Sequence, residues 1–417
     1  MPGRGVETIQ FTEQIRVGVL RRNMIRAVAL SALLACCAPA FAQEPDTDRI
    51  LDDLEYEGYM NLRALNDSSE LILTLENDTY KIESEGFAHA IEVIERQGFP
   101  QDKPTKIIAT SRGVPQVTMT YNPELDSWKT TSRVKDWKKV SGIKPLNSSF
   151  GKVDIVVYPQ VSLMNLIITQ VYQSLWQISP ALEVTLWPGA KFSYQIKIPI
   201  FNDGYGMYES RIHPGLITLT QTFRDPWNLN VSGRLALGVF SNSRYGAVLD
   251  LKYIFPNERF WLDGQVSMLN PYYFEGFTFH YDFDPDFYWA VAGNFYWPYA
   301  KTQFTLRAQK FLYGDVGYKF EMIRHFRHCS VGFYAEKTKY GHTNGGFRFQ
   351  IALPPYRFKR TGRLPRITTS GQMGLVYNAN NEQYYYRESK TEASDNIMQS
   401  NSFNPFYIDS EIKALSR

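Results

Sequence analysis

From about Val153 to Leu353 the chain is a succession of strand-length segments in which apolar and polar residues alternate with a period of two. In Lys191 to Ile200, successive side chains of a strand would send Phe192, Tyr194, Ile196, Ile198 and Ile200 one way. Lys191, Ser193, Gln195 and Lys197 would go the other. The pattern returns at Val231 to Val239, Phe260 to Met268, Phe304 to Ala308 and Val316 to Met322, with charges of both signs on the second face. A soluble sandwich hides the apolar face, whereas a transmembrane barrel turns it to lipid and keeps the polar face for a wet lumen. Alternation alone does not separate the two.

The amino terminus favours the barrel. Arg21, Arg22 and Arg26 precede the apolar run Ala27 to Ala35, and Ala40-Phe41-Ala42 forms a small-residue site before Gln43. That is the layout of a secretory signal over residues 1–42, cleaved after Ala42, with Met24 an alternative start. Leu33-Leu34-Ala35-Cys36 offers a competing lipoprotein site that would acylate Cys36. Downstream, no stretch reaches the roughly 18 consecutive apolar residues a spanning helix needs. An exported chain with many two-faced strands suits the bacterial outer membrane, which closed barrels cross without unpaired backbone groups.

Residues 1–42 hold five of the 45 basic residues and two of the 42 acidic ones, so cleavage leaves 40 of each sign. With no net charge, a nucleic-acid partner is disfavoured. Cys329 alone of the three cysteines survives cleavage, so no intramolecular disulfide forms. The remaining length suggests two unequal parts. The first, residues 46–122, reads as a small α+β module. It has a helix over Thr47 to Tyr59 capped by Asp46 or Thr47, strands at Asn61 to Leu65 and Leu71 to Leu75, a helix over Glu85 to Gln97, and strands at Lys106 to Thr110 and Gln116 to Tyr121. Residues 123–150, polar and holding Lys135, Lys138, Lys139 and Lys144, read as a solvated linker, and residues 378–417 as a polar tail. Between them, residues 151–377 hold about fourteen strands, twelve to sixteen allowing for uncertain boundaries. Val161 to Trp176 carries Leu163, Ile167, Val171 and Leu175 at helical spacing and reads as either strand or helix.

Several motifs then resemble the YjbH-type outer-membrane proteins of exopolysaccharide and capsule production. Gly58-Tyr59-Met60-Asn61 leading to Glu76-Asn77-Asp78-Thr79-Tyr80 is similar to that family's opening module. Val153 to Pro159, Leu186 to Gly189, Pro199 to Asp203 and Pro214-Gly215 are similar to its first barrel strands. Phe311 to Gly317, Arg324 to Phe326, Val331 to Tyr334, Gly345 to Phe347 and Ile351 to Pro354 are similar to its later ones. The resemblance implies a non-enzymatic part in moving or organising a secreted polysaccharide at the outer membrane, with no assigned active site. It differs from longer members in having no room for a second barrel-like half.

The expected fold is therefore mainly β: a transmembrane antiparallel β-barrel preceded by a small periplasmic α+β domain. Its partners are outer-membrane lipid, a secreted polysaccharide and other envelope proteins that meet the module. Lys191, Lys197, Arg234, Asp250, Lys252, Asp263, Arg307, Lys319, Glu321, Glu336 and Arg348 are the candidate lumen-facing groups. Paired, they would hold a narrow barrel shut; unpaired and wet, they would grip an anionic glycan. The aromatics Tyr272, Tyr273, Tyr288, Trp289, Tyr296 and Trp297 suit a membrane-interface girdle or sugar stacking. No cofactor or metal is expected. Asp282 to Asp286 has the alternating acids of a calcium loop but lacks its turning glycine, and His325, His328 and Cys329 lack the geometry of a zinc site. No Gly-x-Ser-x-Gly elbow is present. A barrel enzyme acting on lipid or glycan, and a general diffusion porin, are the alternative functions.

Overall fold

The computed structural model describes residues 46–98, 100, 102–165, 172–378, 387–393 and 401–415. The expected signal segment, residues 1–42, and Cys36 within it lie outside them. The described chain is mainly β, in two sheets. None of its helices is long and apolar enough to cross a membrane, a statement that says nothing of strands.

The smaller sheet begins after helix α1, Thr47–Glu57, whose first turn is capped by the Asp46 carboxylate accepting from the Arg49 N–H at 3.3 Å. The helix stops two residues before the expected Tyr59, because Gly58 takes φ +97° and returns its N–H to the last turn. Strands β1 (Met60–Asn66), β2 (Leu71–Glu76), β3 (Thr105–Ser111), β4 (Val114–Asn122) and β5 (Ser127–Thr131) lie side by side in chain order. Only β2 and β3 run parallel, joined through helix α2, Glu83–Gln97. Leu71, Leu73 and Leu75 face α1 and α2 through Ile50, Leu54, Phe87, Ile91 and Ile94, so the helices cover one side of the sheet. Ile72 and Ile108 meet Val140 and Trp137 on the other, where a four-residue helix α3, Trp137–Val140, packs.

Residues 123–150 are thus no linker. β5 pairs with β4, Leu146 donates to the Leu62 carbonyl at 2.8 Å, and Asn61 Nδ2 reaches Ser149 at 2.9 Å. The segment is polar because it supplies an edge strand and a covering turn. The polar tail is corrected likewise. Residues 405–415 form helix α4, Pro405–Leu415, whose Ile408 and Ile412, one turn apart, enter the core shared by α1 and α2.

The larger sheet has fifteen strands. Those in unbroken antiparallel succession are β6 (Val153–Asn165), β7 (Tyr172–Thr185), β8 (Ala190–Asn202), β9 (His213–Arg224), β10 (Val231–Phe240), β11 (Arg244–Ile254), β12 (Phe260–Glu275), β14 (Asp286–Trp297), β15 (Thr302–Lys310), β16 (Val316–His325), β17 (Cys329–Thr338) and β18 (Asn344–Ala352). Strand β13, Thr278–Tyr281, extends the end of β12 as a side hairpin. The stretch with helical spacing after Val161 is strand on both sides of residues 166–171, which lie outside the described chain.

The last segment carries both ends of this sheet. Its first half, β19 (Arg366–Thr369), runs parallel to β6, pairing Arg366 with Asp154 through Thr369 with Val157. Its second half, β20 (Gln372–Asn378), pairs antiparallel with β18. Twelve alternating strands leave β6 and β18 running opposite ways, so a single segment between them must be parallel to one and antiparallel to the other.

Residues directly opposite in a ladder share a face, and the register sorts the side chains accordingly. Leu235, Leu249, Val266 and Trp289 form one row, and Leu262, Gly293, Leu306, Phe320 and Ala335 another on the same face. These side chains are largely open, Leu306 being 61 % and Leu262 45 % exposed, as is Phe333 beside them on β17, opposite Met322. The opposite face holds the polar residues.

Candidate functional site

That polar face is a lattice of mutually neutralised charges. Arg234 lies opposite Asp250 and meets its carboxylate at 2.7 Å, and Gln265 donates to the same group at 2.7 Å. One row along, the register aligns Lys252, Asp263, Ala292, Arg307, Lys319 and Glu336. Lys252 sits over the Trp261 ring, 4.8 Å from its centroid, and Asp263 accepts from Asn294 at 2.7 Å. Arg307 donates to Gln309 at 2.6 Å and to Gln265 at 3.4 Å. Lys319 is ringed by Glu388, Glu336 and Glu321 at 3.4, 3.8 and 3.9 Å, and Arg348 meets Glu321 at 2.7 Å. Lys191 pairs with Glu183 at 2.7 Å, and Lys197 makes a looser contact with Glu209 at 4.0 Å. All eleven sequence candidates therefore share this face, each engaged by protein groups.

The sequence did not point to the strap that crosses the same face, residues 387–393. At one end the Arg387 carbonyl accepts from Leu312 at 3.1 Å, the Lys390 carbonyl accepts from Ser241 at 3.1 Å, and Asn242 donates to the Glu388 carbonyl. Midway, Gln309 donates to the Glu388 carboxylate at 2.7 Å and Arg234 to Thr391 at 2.9 Å. At the other end Glu392 lies 3.1 Å from Arg234 and 3.8 Å from Arg112 of the module. The strap thus spans from the turns after β10 and β15 to the small sheet.

The six aromatic candidates do not form one group. They come as three pairs of neighbours, and adjacent residues in extended chain point opposite ways. Tyr272, Tyr288 and Tyr296 are buried; Tyr273 and Trp297 are exposed and Trp289 is half-buried. Tyr272 and Tyr288 donate to the carbonyls of Phe240 and Leu312, both at 3.0 Å. Those three tyrosines are structural, which corrects their assignment to a girdle or stacking surface.

Where the module meets the start of β6 there is a polar cavity of about 320 Å³. Its wall includes the turn Glu76 to Lys81, Lys152 just before β6, Asp154 and Tyr158 along it, and Thr368, Thr369, Gly371 and Gln372. Arg360 and Arg366 each bridge Asp78 and Asp154, at 2.6 to 3.2 Å, tying the module turn to the strand. Glu76 accepts from Asn61 at 2.8 Å and from the Gly113 N–H at 2.7 Å. Two of the cations lining this cavity have no carboxylate partner among the described residues. Lys81 donates to Thr369 Oγ1 at 2.5 Å and to the carbonyls of Leu353 and Ser370 at 3.2 and 3.3 Å, and Lys152 reaches Met60 Sδ at 2.9 Å. Burial pulls the Lys81 ammonium down to about 8 and pushes the Glu83 carboxyl up to about 8. Of this cluster the sequence offered only the Glu-Asn-x-x-Tyr turn; the Arg360 and Arg366 contacts depend on a fold that joins residues some 280 positions apart.

The histidines are separated. His325 Nδ1 lies 3.0 Å from Ser330 Oγ in the interior, while His328 Nε2 meets Glu85 of α2 at 2.7 Å. Among the described residues no group of three or more His, Cys, Asp or Glu is arranged to hold a metal ion. No protein-family model, curated protein or solved structure matches this chain.

Proposed function

We propose that residues 151–377 form an outer-membrane β-barrel, with the α+β module in the periplasm, and that the protein takes part without catalysis in exopolysaccharide or capsule secretion or assembly. The observation that carries this is the inverted sheet: aliphatic and aromatic rows open to the surroundings on one face, paired and half-buried charges on the other. Eight half-exposed side chains such as Leu235, Leu237, Leu251, Leu262, Val266, Leu306, Phe320 and Phe333 would gain roughly 10 kcal/mol in hydrocarbon. Water offers them nothing comparable.

Two further features support closure. Both ends of the sheet rest on residues 366–378. The module and α4 together touch the turns after β7, β9, β11, β14, β16 and β18, through Arg112, Ser132, Glu411, Glu85 and Lys81. Twelve strands laid flat would span on the order of 55 Å, far beyond one small module, so contacts of one module with six turns support a sheet curled round it. The resemblance to the YjbH-type family supplies the polysaccharide.

The strap and the charge lattice favour a scaffold over a diffusion pore, since they fill the space an aqueous channel would need. A hydrolytic reading meets His325 beside Ser330, but both are buried and among the described residues no carboxylate follows. The test is genetic. Deletion should abolish secreted polymer, and a variant with every polar-face Ser and His changed to Ala should restore it. Failure of that variant, in protein correctly inserted, would favour an enzyme; steady conductance of the intact protein in a planar bilayer would favour a porin.

A further inference from the structure

The parallel pairing of β19 with β6 stops for a chemical reason. Ser370 donates its N–H to the Val157 carbonyl at 2.9 Å, and in a parallel ladder its own carbonyl would next accept from residue 159. Residue 159 is proline and has no N–H. The orphaned Ser370 carbonyl is taken instead by Lys81 Nζ at 3.3 Å, and the Gly371 carbonyl by the Leu353 N–H at 3.0 Å. Beyond this point β20 pairs with β18, and among the described residues no ladder joins it to β6, although the two come within 8 Å, Cα to Cα. A seam therefore runs between residues 159–165 and 372–378. Its outer flank is apolar, with Val161 and Leu163 on one side and Leu375 and Tyr377 on the other.

The seam begins at the polar cavity, whose wall includes Tyr158 and Gln372. There the Asp78 and Asp154 carboxylates are already neutralised by Arg360 and Arg366 and that of Glu183 by Lys191, leaving the ammonium groups of Lys81 and Lys152 against Glu76 and Glu83, whose carboxyl burial keeps protonated at neutral pH. Unpaired strand edges facing hydrocarbon are costly and call for an occupant or cover. We propose that cavity and seam together bind an amphiphile with an anionic, phosphate-bearing sugar head and acyl tails: the head in the cavity beside Lys152 and Lys81, a tail along the seam. The inference rests on the barrel reading and adds a ligand class to it.

Hydrogen exchange of the full chain in dodecyl maltoside micelles tests it, with monophosphoryl lipid A as the amphiphile and glucosamine 1-phosphate as the tail-less head. Without lipid, the amides of Val161 and Leu163, which face the seam while those of Gln160 and Ser162 point to β7, should exchange far faster than those of Ala247 to Leu251, which pair on both sides. The lipid should slow exchange at the seam-facing amides of Val161, Leu163, Gly374 and Val376, and the head alone should not. Lys152→Met should weaken the lipid effect about tenfold, the worth of one charge-assisted hydrogen bond. Pro159→Ala, which restores the missing donor, should slow seam exchange without lipid and weaken lipid binding. Seam amides as slow as those of β11 in the free protein, rates unmoved by lipid, or equal protection by the head alone would overturn the proposal. Micelle incorporation of each variant, measured alongside, separates that result from failure of the barrel itself.

Discussion

Replacing Lys319 with Met removes the one cation at the centre of three carboxylates. At an effective dielectric constant near 20, each contact at 3.4 to 3.9 Å is worth about 4–5 kcal/mol of attraction, offset by desolvation. Removing one partner of a buried ion pair costs about 3–5 kcal/mol, because the remaining charge is left uncompensated. Arg348 still holds Glu321, Asn344 still donates to Glu336, and Gln309 to Glu388, so the lower end applies, about 3 kcal/mol. That corresponds to a fall in melting temperature of roughly 5–10 °C. Lys319→Arg, which keeps the charge, should lose far less. Glu388 anchors the strap, so trypsin should cleave after Arg387 and Lys390 sooner in the Met variant than in the parent chain. Scanning fluorimetry and timed proteolysis in micelles give both readouts. An unchanged melting point and unchanged cleavage would mean that water, not the protein, neutralises these groups, and the occupied interior would be refuted.

Other outcomes follow from single contacts. Glu411 of α4 is buried between Lys301 at 2.5 Å and Arg327 at 2.9 Å. Burial alone would raise its carboxyl, but the two cations outweigh it and hold the group below the usual carboxylate range. Its contribution is therefore present above the unfolded-state value and lost as pH falls through the folded one. Glu411→Gln should cost about 2–3 kcal/mol at neutral pH, and the difference in melting temperature should vanish in acid. Glu83 has the opposite sign: burial pushes its carboxyl up to about 8, so the folded state keeps a proton that the unfolded state releases. Stability should decline from the ordinary glutamate value up to about pH 8, and Glu83→Gln should flatten that decline in a pH series of melts. Tyr296→Phe should be within about 0.5 kcal/mol of neutral, since its buried hydroxyl makes no hydrogen bond among the described residues. Trp297→Ala, one residue on and exposed, should instead weaken partition into lipid vesicles at unchanged melting temperature.

The period-two alternation was legible because strand geometry fixes which side chains share a face whatever the neighbours do. It marked the eleven charged residues as one set without revealing partners, since Lys191 finds Glu183 and Arg234 finds Asp250 only once the register is known. The aromatic cluster misled for the same reason seen from the other side: composition counted rings, while the alternation within Tyr288-Trp289 and Tyr296-Trp297 already divided them. The Asp46 cap and the Gly58 stop are local and could be read directly. β5 escaped because an edge strand needs only one apolar side, and α4 because its short apolar run Pro405 to Ile408 follows the long polar stretch Glu388 to Asn404. The strap and the Arg360 and Arg366 bridges join residues far apart in sequence, where no local pattern reports.

The central claim is that the apolar face of the long sheet meets lipid and the charged face does not. Single cysteines along β10, at Arg234, Leu235, Ala236 and Leu237 in a Cys329→Ser chain, labelled with a fluorophore in vesicles carrying nitroxide-tagged acyl chains, test it directly. Strong quenching at 235 and 237 with weak quenching at 234 and 236 is the expected result. Weak quenching at all four positions, in protein that remains folded, would place the apolar rows against another layer of protein and contradict the account.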